Sequence, residues 1–203
     1  MRKPNDAYHH GDLRAALVDA ALAELDLDGT AVIGFSGLAR RLGVSQTAPY
    51  RHFADREALL AAVAAKGFRI CIGELNDRAE RRGAESLLSC AAYGYLEFGL
   101  RHVGLYQLMF ASRLYQRAAI GSELQIASEA AFDVVLAAIE PALDDMIRRR
   151  FALKFWTSLH GVVTLAEQGL LPPKIRQISV AELIDELVRD TELAVAAALT
   201  ASR

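Results

Sequence analysis

The sequence predicts an all-α protein in which a small N-terminal helical domain, residues 1–54, precedes a larger helical domain, residues 55–203. Hydrophobic residues make up 53% of the chain, with abundant Ala and Leu, and they recur at the spacing of one helical face. β-branched and aromatic residues seldom alternate with polar ones in the period of a strand. A length of 203 residues suits a small domain followed by a larger one.

Three short helices are predicted in the N-terminal domain. The first covers residues 12–27, and Asp28-Gly29 provides its stop. The second covers residues 37–42, with Ser36 as its N-cap. Gly43 follows where the chain must turn sharply through a positive φ, so the two helices form a hairpin.

The third helix is predicted over residues 45–53, with Ser45 as its N-cap. Pro49 removes one backbone donor, so this helix is expected to be short and partly irregular. Its exposed side chains are predicted to be Gln46, Thr47, Tyr50, Arg51 and His52. Amide, hydroxyl and ionisable groups of this kind read base edges and bind phosphates in a major groove. The formal net charge is −2, but residues 36–53 contain arginines and no acid, which favours local contact with a polyanion.

A long helix is predicted to begin at the N-cap Asp55 and to end near Arg82. Gly67 and Gly73 weaken it and are candidate points of bending. Further helices are predicted over residues 85–102, 104–110, 122–139, 144–168 and 180–200, separated by Gly or Pro signals.

The last two helices are predicted to form a dimer interface. The final helix carries one unbroken apolar stripe, and the helix before it carries two, so that helix needs two partners. Two such helices from each chain can build a four-helix interface about a two-fold axis. The predicted interface residues are Phe151, Phe155, Leu159, Val162, Leu183, Ile184, Leu187, Val188, Thr191 and Val195. The alternative is that all of these residues belong to an intramolecular core.

Aromatic and other apolar residues of the larger domain suit the lining of a small-molecule pocket between helices. The predicted pocket residues are Tyr93, Phe98, Tyr106, Met109, Phe110, Phe132, Phe155, Trp156 and His160. The same residues would equally supply an ordinary core. His160 could hydrogen-bond an effector, or it could be satisfied by a buried backbone carbonyl.

Several other functional classes are disfavoured by the sequence. Cys71 and Cys90 lack a second cysteine or histidine at ligand spacing, so no metal site and no cofactor are expected. No apolar run is long enough for a membrane span, and the polar N-terminus lacks a signal-peptide core, so a cytoplasmic protein is expected. A helical enzyme would need a nucleophile–base pair or a phosphate loop, and neither is found. A protein-binding adaptor without DNA affinity remains the alternative.

Residues 38–45, 49–53 and 56–60 resemble the DNA-binding domain of TetR-family transcriptional regulators, and the resemblance covers about residues 8–68. Residues 8–14, together with Trp156 and His160-Gly161, resemble the subgroup named for a Trp-His-Gly signature.

This resemblance implies a homodimer that binds a palindromic operator, usually as a repressor, and leaves it when a small-molecule effector enters the larger domain. By position it makes Gln46, Thr47, Tyr50 and His52 DNA contacts. Arg56 stands where the family more often places a phosphate-binding lysine. Ser45 and Arg51 complete the expected DNA-binding set.

Overall fold

The computed structural model describes residues 13–28, 33–110, 113–170 and 178–201, and within these ranges the regular structure is helical, without a strand. The α-helices are α1 (Leu13–Asp28), α2 (Phe35–Arg41), α3 (Arg56–Glu80), α4 (Leu87–Arg101), α5 (Val103–Phe110), α6 (Leu114–Arg117), α7 (Glu123–Ala137), α8 (Asp145–Glu167) and α9 (Val180–Ala201), and a 3₁₀ helix covers Pro49–Arg51. The predicted helix start at Asp12, the stop residue Gly29 and the motif over residues 8–12 lie outside the described residues. The all-α prediction is confirmed.

Side-chain caps fix the starts of four helices. Asp55 accepts a hydrogen bond from the Ala58 N–H at 2.8 Å, as the sequence predicts. Ser86, Ser122 and Asp144 cap α4, α7 and α8 in the same way. Each cap satisfies a backbone donor that has no partner inside its helix.

The second helix begins earlier than predicted. It starts at Phe35 with Gly34 as its N-cap, so Ser36 lies inside the helix and does not cap it. Phe35 is buried, and its side chain anchors the first turn to the core of the N-terminal domain. Gly43 has φ +67°, which confirms the predicted turn residue.

The prediction of a helix over the whole of residues 45–53 is wrong, although the predicted irregularity is confirmed. Only the 3₁₀ helix forms, held by hydrogen bonds such as that from the Arg51 N–H to the Ala48 carbonyl at 3.2 Å. Proline at position 49 has no N–H and removes one intrahelical hydrogen bond, although Ala48 before it keeps α-helical angles, with φ −61° and ψ −41°. The Ser45 hydroxyl lies 3.3 Å from that of Thr47 and does not cap a helix.

The long helix α3 organises the molecule because it packs against helices of both the N-terminal and the larger domain. It contacts α1 on one side and α4, α5 and α7 on the others. Buried residues from Leu17 in α1 to Ile184 in α9 form one continuous apolar cluster around it. Helix α6 was not predicted, since a single turn is too short to show helical periodicity. No helix of the described ranges has both the length and the apolarity that a membrane span requires.

Candidate nucleic-acid interface and ligand cavity

The segment between α2 and α3 is held from below by buried apolar side chains. Leu38 and Ala39 of α2 are fully buried, Pro49 is buried between the exposed residues of the tip, and Phe53 is buried at its end. The Arg14 guanidinium lies over the Phe53 ring, 5.3 Å from its centroid. This packing fixes the backbone of the segment, so the side chains between the anchors project outward.

The side chains predicted to contact DNA are brought together on this exposed tip. Ser45, Gln46, Thr47, Tyr50, Arg51 and His52 are all exposed. Tyr50 is 62% exposed, and one edge contact with Phe35, at 4.7 Å between ring centroids, orients its ring. The tip therefore presents an amide, hydroxyls and cationic or ionisable groups on one rigid support.

Arg56 lies beside this tip at the first turn of α3. Its Nε–H donates to the Ile33 carbonyl at 2.6 Å, which ties α3 to the chain just before α2. This structural bond is a function that sequence reasoning missed. The residue type alone carries no signal for it, because the acceptor is a backbone oxygen 23 positions away.

The local charge of this region is positive. Arg40, Arg41 and Arg51 are exposed, and no acidic residue occurs between positions 36 and 53. Arg41 lies 3.9 Å from Glu24, a separation at the limit of an ion pair, and both groups are partly solvated. A surface of this kind attracts phosphate without strong internal neutralisation.

A second feature is a cavity of about 780 Å³ in the larger helical body. Its walls come from α3, α5, α6, α7 and α8, with one residue from α4. The lining residues are Phe68, Cys71, Ile72, Leu75, Tyr95, Met109, Phe110, Tyr115, Gln116, Ser128, Glu129, Ala131, Phe132, Asp133, Val135, Arg149 and Trp156. The volume and the mainly apolar wall suit a small organic molecule.

The cavity contains part of the predicted pocket. Met109, Phe110, Phe132 and Trp156 line it. His160 lies behind this wall, stacked on Trp156 with 5.6 Å between ring centroids and 4.7 Å from the Phe110 ring.

Three residues of the predicted pocket lie elsewhere. Phe98 and Phe155 are fully buried in the core and do not reach the cavity. Tyr93 faces α9, where its hydroxyl donates to Asp185 at 2.7 Å. These three residues lie on helix faces that pack against neighbouring helices, and spacing along one helix does not reveal which neighbour a face meets.

A polar cluster lies behind the aromatic wall. The hydroxyls of Tyr95 and Tyr106 lie 2.9 Å and 2.7 Å from Nδ1 of His160, and Tyr106 also approaches the Thr164 hydroxyl at 3.3 Å. Burial lowers the pKa of His160 and raises the pKa of Tyr95 well above its usual value. The cluster is therefore uncharged near neutral pH. Sequence reasoning missed Tyr95, since nothing local separates it from an ordinary core tyrosine.

The residues predicted to form a dimer interface divide into two groups. Phe155, Leu159, Ile184 and Val188 are buried inside the single chain, where α8 packs on α9. The partly accessible members are Phe151, Val162, Leu183, Leu187, Thr191 and Val195. For the first group the structure corresponds to the intramolecular alternative, because their side chains already fill the groove between α8 and α9. The large apolar residues that these helices leave exposed are Met146, Leu153, Leu165 and Leu193.

Neither cysteine belongs to a reactive or metal-binding arrangement in the described ranges. Cys71 and Cys90 are free and buried, and no cluster of three metal-ligating side chains occurs among the described residues. Burial, with a smaller effect of Glu74, raises the pKa of the Cys71 thiol to about 12. Cys71 is therefore an uncharged part of the cavity wall.

Comparison with known proteins gives two family matches. Residues 17–63 match the model described as bacterial regulatory proteins, tetR family, and residues 88–191 match the tetracyclin repressor-like C-terminal domain. The first match contains the anchored tip, and the second contains α4 to α8 and most of the cavity wall.

Individual relatives agree with these matches. The chain is 28% identical over 162 residues to an uncharacterized HTH-type transcriptional regulator from Mycobacterium tuberculosis, covering 78% of this chain and 72% of that protein. A structure of a protein with unknown function from Rhodococcus sp. RHA1 is 30% identical, with TM-score 0.68 and coverage of 97% and 98% of the two chains. A TetR transcriptional regulator from Legionella pneumophila is 17% identical, with TM-score 0.55 and coverage of 92% and 98%, and shares the fold.

Proposed function

The chain belongs to the tetR family of bacterial regulatory proteins, and we propose that it is a ligand-responsive regulator that binds a palindromic operator as a homodimer. It is a DNA-binding transcriptional regulator, and its Mycobacterium tuberculosis relative is described as an HTH-type transcriptional regulator. Beyond DNA binding, we propose a symmetric operator, a dimer and a response to an effector. We further propose repression as its mode of action and the Trp-His-Gly subgroup as its place in the family.

The observation that carries the DNA-binding role is the exposed tip on its buried anchors. Gln46 can pair with a base edge through its amide, and Thr47 can touch a thymine methyl or a phosphate. We propose that Tyr50 and His52 bind phosphates of the DNA backbone. Arg56 keeps the charge of the family's usual lysine, and its bond to Ile33 leaves the terminal guanidinium nitrogens to face the backbone of the duplex.

The proposed boundary between the two domains falls between residues 54 and 55, so α3 begins directly after it. Helix α6 lines the cavity through Tyr115 and Gln116, and Arg117 of the same helix pairs with Glu57 of α3 at 2.9 Å. An effector that displaces α6 would therefore act on the first turn of α3, beside Arg56. Release requires that the effector bind better to a dimer whose two tips are wrongly spaced for adjacent major grooves.

The decisive experiment is selection of bound sequences from a random duplex pool with the purified chain and with the variant Tyr50→Ala, His52→Ala. Enrichment of an inverted repeat that the double variant loses is the expected result. Arg150→Ala removes an exposed cation far from the tip and should leave the selection unchanged. A double variant that enriches the same repeat as the unaltered chain would place the DNA contacts elsewhere. No enrichment at any salt concentration would favour the adaptor, because phosphate contact makes affinity strongly salt-dependent.

A further inference from the structure

We propose that the cavity binds a lipophilic organic cation, a molecule with an aromatic or aliphatic body and a delocalised or quaternary positive charge. This inference rests on the proposed function, because it takes the cavity as the effector site. It goes further by naming the chemical class of the ligand, which neither the family matches nor the named relatives give.

The wall of the cavity is rich in aromatic side chains. Phe68, Phe110, Phe132, Tyr95, Tyr115 and Trp156 present six rings to one space of about 780 Å³. The rings approach one another edge-on or tilted, as Phe132 does to Trp156 at 6.4 Å between centroids. Rings that line a cavity can attract a cation through their faces.

The exposed rim of the cavity carries acidic side chains. Glu129 and Asp133 lie one turn apart on α7, both are exposed, and both line the cavity. Arg149 is the cationic member of the lining, and its Nε–H already donates to Asp145 at 2.7 Å. Asp133 also interacts with the Arg149 charge, so three carboxylates, of Glu129, Asp133 and Asp145, stand against one guanidinium and the rim remains net negative. A cation entering here gains attraction, and an anion of the same size is repelled.

The inner wall, formed by the described lining residues away from the rim, carries no competing charge. Tyr95 and Cys71 are the ionisable groups there, and burial raises the pKa of both. Both remain neutral at physiological pH, so the inner wall offers ring faces and a hydroxyl. The wall therefore suits the apolar body of the ligand, and the sign of its charge is selected at the rim.

The test uses two ions of nearly equal size and shape but opposite charge, tetraphenylphosphonium and tetraphenylborate. Trp156 is the single tryptophan of the chain and lines the cavity, so quenching of its fluorescence reports binding to the protein without DNA. Calorimetry provides a second measure. We expect the phosphonium to bind about tenfold or more tightly than the borate, since the two rim carboxylates act in the same direction.

Two variants separate the cavity from the rest of the surface. Replacing both rim acids, Glu129→Gln with Asp133→Asn, should weaken phosphonium binding about fivefold or more and reduce the preference over the borate. Glu80→Gln removes an exposed acid outside the cavity and should change neither. Ala131→Phe places a phenyl ring in the cavity and should weaken binding of both ions.

Equal or tighter binding of the borate would overturn the proposal, as would a double variant that binds the phosphonium as well as the unaltered chain does. Binding to Ala131→Phe as tight as to the unaltered chain would assign the ion to another surface and would also overturn the proposal. The operator selection is carried out without ligand. A chain that enriches an inverted repeat but ignores the phosphonium loses only this inference, whereas a chain that enriches no repeat loses the proposed function.

Discussion

His160 is a residue whose ionisation depends on its surroundings. It is half-buried, its ring stacks on Trp156, and two tyrosine hydroxyls approach its Nδ1. Burial lowers the pKa of His160 below its usual value of 6.5. The folded chain thus holds a neutral imidazole where the unfolded chain would hold a protonated one in mild acid.

This difference predicts a pH dependence of stability. Because the unfolded state binds the proton more tightly, the contribution of His160 is fully present above about pH 6.5 and is lost as the pH falls toward the pKa of the folded state. His160→Gln should therefore lose less free energy of unfolding than the unaltered chain between about pH 7 and about pH 5. Urea unfolding at both pH values measures this difference.

His52→Gln is the matched control, because His52 lies on the exposed tip, outside the core. It should follow the pH dependence of the unaltered chain. Equal losses in His160→Gln and in the unaltered chain would show that the neutral imidazole contributes nothing to acid sensitivity.

At the scale of elements, α3 contains two glycines with different surroundings. A Cβ at Gly67 would lie 2.7 Å from Sδ of Met109 and 2.8 Å from a methyl of Leu105, so this glycine permits the close approach of α5. A Cβ at Gly73 would meet no atom within 4 Å. A side chain at position 67 would thus force Met109 and Leu105 to shift, and Gly73 is the position at which α3 is intrinsically weaker.

The two substitutions by alanine should have opposite signs. Gly73→Ala should raise the free energy of unfolding by about 0.5–1 kcal/mol, because alanine loses less backbone entropy in a helix. Gly67→Ala should lower it by about 1–3 kcal/mol through overpacking against α5. Denaturant unfolding of the pair tests both, and destabilisation by Gly73→Ala would mean that α3 needs the glycine for another contact.

At the scale of the whole molecule, the proposed dimer must use surface that the single chain leaves accessible. Leu193 on α9 is 64% exposed, and Leu153 and Leu165 are exposed on α8. Two helices from each chain would bury these residues about a two-fold axis.

Leu193→Glu should therefore convert the dimer to a monomer, since it would place a charge in an apolar contact, and it should weaken operator binding because two joined tips bind better than one. Sedimentation velocity measures the first effect, and titration of the selected operator measures the second. Ile120→Glu is the control, because Ile120 is 97% exposed in the loop before α7. A Leu193→Glu variant that stays dimeric would remove the face of α9 that carries Leu193 from the proposed interface.

The sequence by itself determined the family, the helical class and most helix starts. These properties depend on residues close in the chain: apolar residues three and four positions apart, caps such as Asp55 and Asp144, and the turn at Gly43, whose positive φ is confirmed. The irregularity at Pro49 could be predicted for the same reason, since the missing donor is local. The DNA-contact assignments remain predictions based on position in the family motif.

Only the tertiary structure decided which apolar face meets which partner. Phe155 and Trp156 are neighbours in sequence, yet one fills the core and the other lines the cavity. The bond from Arg56 to the Ile33 carbonyl and the pair between Arg117 and Glu57 join positions far apart in the chain. Helical periodicity fixes the direction of a side chain relative to its own axis, but its partner depends on the packing of several helices at once.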